Sequence, residues 1–260
     1  MRKALTALFL VFVVSAPLRA ELKYTMRMEM KKSDTAAAAN TNPMLGMMGE
    51  QMMKQMLPNG STEIIYIVGE KGTRMEFKQA AMGQAEGAVN IAKPDGTLYV
   101  VDPTNKTYWK TTAQATSDTL KAAGLVPEVT AKKTGQTDTV IGIACDVVAF
   151  DWKMPLPIPE AARASLPPDF PTTLTMNGDS CTTSQYSKYV DMIARGAGGM
   201  LAAMGFDKVA QGGLIMRQTM QMMGYEMKSV VTSISEEAVD PTIFDIPADY
   251  KEVPAPGAPK

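Results

Sequence analysis

Two cysteines, Cys145 and Cys181, and 22 methionines are the residues whose chemistry stands out in this sequence, and histidine is missing altogether. In an oxidising compartment, two cysteines without a third pair with each other. Two separate buried thiols are the alternative, because Cys145 falls on an apolar strand face. Neither cysteine belongs to a Cys-x-x-Cys pair, so redox catalysis has no support. The thioethers open two further chemistries. Soft sulfur ligands favour Cu(I) and Ag(I), and Met26-x-Met28-x-Met30 puts three sulfurs on one side of an extended chain, while Met47, Met48, Met52 and Met53 can gather on a helix. Methionine is equally the flexible gap-filler of adaptable apolar surfaces. Arg27 and Glu29 alternate with the three strand methionines, so an amphipathic strand using Met in place of Val or Ile accounts for the run without a metal.

The chain without histidine lacks the usual general base and the commonest metal ligand. Ser61, Ser184 and Ser187 therefore have no partner for a Ser-His-Asp triad. Nucleophile-elbow, phosphate-loop and calcium-loop patterns are missing as well. The acids are scattered: Glu236-Glu237 with Asp240 reads as a polar turn, and Asp245 and Asp249 as flanks of a final strand. Trp109 and Trp152, next to Lys110 and Lys153, read as packing residues at strand ends. These observations predict a protein that is not an enzyme and carries no cofactor.

The elements that must position the methionines are mostly strands. Leu22 to Lys31 alternates apolar and polar residues without a fault, which predicts a half-buried strand with Leu22, Tyr24, Met26, Met28 and Met30 on its core face. A small, polar stretch from Ser33 to Asn42 reads as a flexible loop. It leads into a Met-rich helical insert over 43–57, started by Pro43 and stopped by Pro58-Asn59-Gly60. Short strands follow at Ile64–Val68, Thr73–Lys78, Ala88–Ile91, Thr97–Val101 and Thr107–Lys110, and a helical turn at Ser117–Ala123. Glu128–Lys133 and Thr139–Trp152 continue the pattern, the latter with Ile141, Ile143, Cys145, Val147 and Ala149 on one face. Pro155 to Pro171 is a proline-punctuated loop with a short helix around Glu160–Ala164, and Thr172–Met176 is a brief strand. Tyr186–Met204 repeats at three and four residues, an amphipathic helix broken or closely packed at Gly196, Gly198 and Gly199. Alternation then returns: Leu214, Met216, Met220 and Met222 share a face, and Tyr225–Ile234 is a partner strand.

Met1-Arg2-Lys3, the apolar run from Ala4 to Ala16 and the small residue at Ala20 predict a signal peptide, residues 1–20, cleaved after Ala20. The run is too short to span a bilayer, which needs about 20 apolar residues, and no later stretch approaches that length. The mature protein is therefore expected in the periplasm, not membrane-spanning. It is expected as one β-rich domain over 21–253 with a disordered tail at 254–260. The whole chain has a formal charge of −1, and loss of Arg2, Lys3 and Arg19 makes it more acidic still. A weakly acidic chain without a basic cluster excludes nucleic acid as a partner. The fold class expected is α+β, mostly β: a strongly curved antiparallel sheet, or unclosed β-barrel, covered by helices.

Leu98-Tyr99-Val100-Val101-Asp102 with Lys106-Thr107-Tyr108, the strand from Ile141-Gly142-Ile143-Ala144-Cys145-Asp146 after Thr134-Gly135, and Ile243-Phe244-Asp245-Ile246-Pro247-Ala248-Asp249-Tyr250-Lys251 together resemble a group of exported bacterial domains related to the LolA/LolB lipoprotein carriers of the outer membrane. The resemblance runs along most of the mature chain. It implies an unclosed antiparallel barrel that holds a hydrophobic ligand, lipid, acyl chain or lipoprotein, under a helical lid. Members of that group often carry Trp-Val near the place where this sequence has Ser180-Cys181. The Met-rich insert lies outside what the resemblance explains.

The expected ligand-lining residues are Met26, Met28, Met30, Met216, Met220 and Met222, and the expected lid residues are Met44, Met48, Met52 and Met56. Two other functions compete with a hydrophobic-ligand carrier. One is a Met-rich Cu(I)/Ag(I)-binding periplasmic protein; the other is a structural or interaction module with an envelope protein as partner.

Overall fold

The alternation at the start of the chain becomes β1 (Ala20–Lys32), whose even-numbered residues from Leu22 to Met30 turn to one side. The computed structural model describes residues 20–33, 43–156, 158, 170–196 and 204–255. Residues 1–19 of the expected leader, 34–42 of the expected loop, the short helix at 160–164, the glycine-bearing stretch 197–203 and the last residues of the tail lie outside the described residues.

After β1 come helix α1 (Pro43–Met56) and four strands: β2 (Ser61–Gly69), β3 (Gly72–Phe77), β4 (Val89–Ala92) and β5 (Thr97–Asp102). Then follow β6 (Thr107–Thr112), α2 (Ala113–Ala122), β7 (Glu128–Val140), β8 (Ile143–Pro155) and β9 (Thr173–Thr183). Helices α3 (Ser187–Gly196) and α4 (Phe206–Ala210) precede β10 (Leu214–Met222) and β11 (Tyr225–Ala238). A 3-10 helix (Pro241–Phe244) and the short β12 (Lys251–Glu252) close the described chain.

These strands form one sheet in the order β12-β6-β5-β4-β3-β2-β1-β11-β10-β9-β8-β7. Every pairing is antiparallel except that of β12 with β6. The sheet is unclosed and mostly hairpin-built, with β7 and β12 as its two edges. No helix among the described residues is long and apolar enough to cross a membrane.

Local readings of the sequence are corrected at the β7–β8 turn and at Glu236-Glu237. Thr139 to Trp152 is not a continuous strand: Ile141 and Gly142 both take positive φ, 47° and 82°, and turn β7 back into β8. A two-residue turn with both φ positive matches the twist of a hairpin. Ile141 disguises it, because a β-branched residue rarely adopts that conformation and its apolar side chain continues the alternation. Ile141 is exposed as a result, and Ala149 is exposed too. Glu236 and Glu237 do not form a turn. They extend β11, pairing with Lys188 at 2.9 Å and Lys23 at 2.9 Å.

One face of the sheet carries α3 and α4. Helix α3 packs on β2–β4, where the Thr73 hydroxyl donates to the Met192 carbonyl at 3.3 Å. Helix α4 packs on β7–β9, with Val209 fully buried. The other face of β2–β5 is covered by the C-terminal segment. Phe244 is fully buried there among Ile67, Val89, Ile91 and Val101, and Arg74 donates to the Ile243 carbonyl at 2.8 Å.

Candidate functional site

Cross-strand register brings the methionines together. Met30, Met227 and Met220 lie directly opposite one another on β1, β11 and β10, and the row continues through Gly178 on β9 to Phe150 on β8. A second row runs from Tyr225 through Met222 and Met176 to Trp152 and Val129. Directly opposed residues share a face of the sheet, so both rows line the same side. Met28, Met30, Met176, Met220, Met222 and Met227 are buried in one cluster. Half-buried Met26, Met52, Met53, Met56, Met75 and others pack against it, so most of the chain's methionines meet here.

Helix α1 lies over this cluster. Its C-terminal end is held: Leu57 is buried, the Met56 carbonyl accepts from the Met82 N–H at 2.7 Å, and the Met30 N–H donates to the Gly60 carbonyl at 3.0 Å. Further along, Gly49 comes so close to the β10–β11 turn that a Cβ there would sit 2.9 Å from the Met223 carbonyl and from the Tyr225 ring. A glycine at this position lets the helix touch the hairpin. Glu50 and Lys54, paired at 2.7 Å one turn apart, take the exposed side.

The expected lining residues divide. Met28, Met30, Met220 and Met222 are buried together, and Met26 is half-buried between this cluster and a second one. Met216 is fully buried in the second cluster, among Leu22, Tyr24, Val231 and the cysteines. It keeps the face of Met220 and Met222 but lies further along β10, at the one-residue bulge where the pairing with β9 shifts between Ile215 and Arg217. Among the expected lid residues Met52 and Met56 pack against the cluster, whereas the side chains of Met44 and Met48 lie outside the described residues. Sequence reasoning missed Met176 and Met227, and it named Met53 only as a possible metal ligand and Trp152 only as a packing residue. The indole N–H of Trp152 donates to the Met204 carbonyl at 2.8 Å, tying β8 to the loop before α4.

Cys145 and Cys181 form a disulfide between β8 and β9. They are diagonal neighbours, since Val147 is the direct partner of Cys181. Tyr24 and Tyr66 stack beside them at 4.6 Å between ring centroids. Burial pushes the Tyr66 phenol up to about 12 and the Tyr24 phenol well above its ordinary value, the latter with a smaller contribution from Tyr66. Both shifts favour the protonated form in the folded chain. The stability that Tyr66 contributes is present below pH 10 and lost as pH rises through about 12, and that of Tyr24 is lost in the same direction. An absorbance titration should find these two phenols ionising last, together with loss of near-ultraviolet circular dichroism.

Gly178 sits where the first methionine row passes from β10 to β8, and a Cβ there would collide with the Thr219 carbonyl. Gly178→Ala should therefore destabilise the protein by roughly 1–3 kcal/mol, measured by urea unfolding.

A model of a domain of unknown function, DUF4412, matches residues 46–153, from α1 to β8. No curated protein is detectably similar to the chain. Among solved structures, the chain is similar to a domain from Vibrio parahaemolyticus whose name proposes a role in outer membrane lipoprotein sorting. The two are 10% identical with a TM-score of 0.33, over 86% of this chain and 89% of that one. It is also similar to PNGF-II, at 12% identity and a TM-score of 0.36, over 90% of this chain but 31% of that one. At TM-scores this low neither likeness bears on function.

Away from the methionine cluster, a shallow cleft of about 210 Å³ lies between the β2–β3 turn, Ala92 to Pro94 and Met192. It is smaller than the roughly 300–1,000 Å³ of sites that take drug-sized ligands. Among the described residues no three acidic or cysteine side chains gather as a metal site.

Proposed function

We propose that this chain is a non-enzymatic envelope protein that binds a hydrophobic ligand, a lipid, an acyl chain or a lipoprotein, between the methionine-lined face and its helices. The observation that carries the reading is the gathering of methionines from six strands and α1 into one cluster on a single face of an unclosed sheet. Flexible, polarizable thioethers suit a surface that must repack around a chain of variable shape. Helix α1, held at its C-terminal end, serves as the lid. The expected leader and the disulfide support residence in the periplasm, where such a bond persists. The mature chain acts as one domain over 21–253.

The methionine rows run on into Phe150, Trp152 and Tyr225 in the same buried cluster, which favours apolar packing over a Cu(I) or Ag(I) ligand set. Native mass spectrometry of the mature protein purified from periplasm, with lipid extraction and elemental analysis of the same sample, tests the reading. A stoichiometric lipid is the expected result. Copper without lipid would replace the reading with the metal function, and an empty protein that takes up no fatty acid would leave a protein-partner module.

A further inference from the structure

Next to the first methionine row, one register step back, the same face carries a row of a different kind. Thr62 on β2 is opposite Met28 on β1, Met28 is opposite Ser229 on β11, Ser229 is opposite Gln218 on β10, and Gln218 is opposite Ser180 on β9. Four of these five residues are polar, and all are buried: Ser180 is 0% exposed and Gln218 9%. The row crosses the sheet between the methionine cluster and the second cluster around Tyr24 and Met216.

Two of its polar atoms have no hydrogen-bond partner, Gln218 Nε2 and Ser180 Oγ. A buried donor left unmade costs free energy that an apolar side chain of similar shape would not. Nothing about the sheet requires polar residues here, since the neighbouring rows on the same strands are filled by Met, Phe and Trp. The cost is offset only if something else uses these atoms.

We infer that Gln218 and Ser180 form a polar anchor for an uncharged carbonyl at the end of an alkyl chain, such as a fatty-acyl ester or amide, with the chain lying along the methionine rows. This rests on the reading of the methionine face as a ligand site and adds the chemistry of the ligand's polar end. A carbonyl oxygen has two lone pairs and accepts from both the Gln218 amide and the Ser180 hydroxyl. The anchor carries no charge. The nearest guanidinium in the register, Arg217, is engaged by Asp179 at 2.9 Å and Asp138 at 3.3 Å. A carboxylate or phosphate would be desolvated there without a counter-ion, so a neutral group is selected.

The test compares four probes of one chain length, dodecane, methyl laurate, lauramide and laurate, by displacement of N-phenyl-1-naphthylamine from the mature protein. The wild type should bind methyl laurate or lauramide about tenfold more tightly than dodecane, and laurate no better than dodecane, as one or two neutral hydrogen bonds allow. Preference for the ester assigns the anchor to glycerolipids, and preference for the amide to N-acylated lipoproteins. Gln218→Leu and Ser180→Ala should each reduce the preference for the carbonyl probes over dodecane. Gln218→Leu should also raise the melting temperature of the empty protein, because it removes an unpartnered buried donor. Equal binding of all four probes, or a preference that survives both variants, overturns the anchor and leaves the carrier standing. Failure of the wild type to bind any of the probes overturns the carrier itself, and the anchor with it.

Discussion

Trp152→Ala should lower the free energy of unfolding by about 3–5 kcal/mol, the range for truncating a fully buried aromatic side chain. Trp152 is 1% exposed and is the largest fully buried side chain among the described residues. Its row neighbours, Met176 and Val129, are themselves buried and cannot collapse far into the space that the indole leaves. The substitution also strands the Met204 carbonyl, which loses the indole N–H as donor. Trp152→Phe separates the two effects: it keeps most of the volume and loses the hydrogen bond, so about 1–3 kcal/mol is expected. Urea unfolding followed by far-ultraviolet circular dichroism measures both. A loss under about 1 kcal/mol for the alanine variant would mean that β8 does not anchor the cluster as described.

Removing the disulfide with Cys145→Ala and Cys181→Ala together should cost roughly 3–4 kcal/mol on the chain-entropy account of a loop of this length. The bridged residues are 36 apart in sequence, so the cross-link removes a long loop's freedom from the unfolded chain. Both cysteines are buried, and alanine avoids burying a new hydroxyl in their place. The denaturant slope should rise in the variant, because an unfolded chain without the cross-link exposes more surface. Wild-type protein under reducing conditions should behave like the double variant. Alkylation of both thiols in unreduced, unfolded wild-type protein would show instead that the bond does not form.

Much of the architecture was legible because it is encoded locally. The strand parity of β1 follows from an alternation within ten residues, and α1 is bounded by prolines that restrict the backbone at its start and after its end. The pairing of Cys145 with Cys181 was legible from the expected compartment and the absence of a third cysteine, with two separate thiols left open until the strands were seen to bring them together. The hairpin at Ile141-Gly142 was hidden by a residue atypical of such a turn. The length of β9 was hidden as well. Its Asn177, Gly178, Asp179 and Ser180 have low strand propensity, and two neighbouring strands hold them in place. In the same way the final strand expected between Asp245 and Asp249 does not form there: Pro241–Phe244 is a 3-10 helix capped by Asp240, and the last strand is Lys251–Glu252, parallel to β6.

The candidate site shows the same division. By itself the sequence determined that this chain is mostly β, that its apolar faces are built largely from methionine, and that histidine-dependent chemistry is closed to it. Only the tertiary structure decided which methionines meet. Position along β10 left Met216 in the second cluster, and register brought Met176 and Met227 into the first. The polar row through Ser229, Gln218 and Ser180 exists only across strands, and no segment of the sequence contains it. Side-chain direction along one strand is a local property with a period of two, whereas the register between strands is set by turns, bulges and packing far apart in the chain.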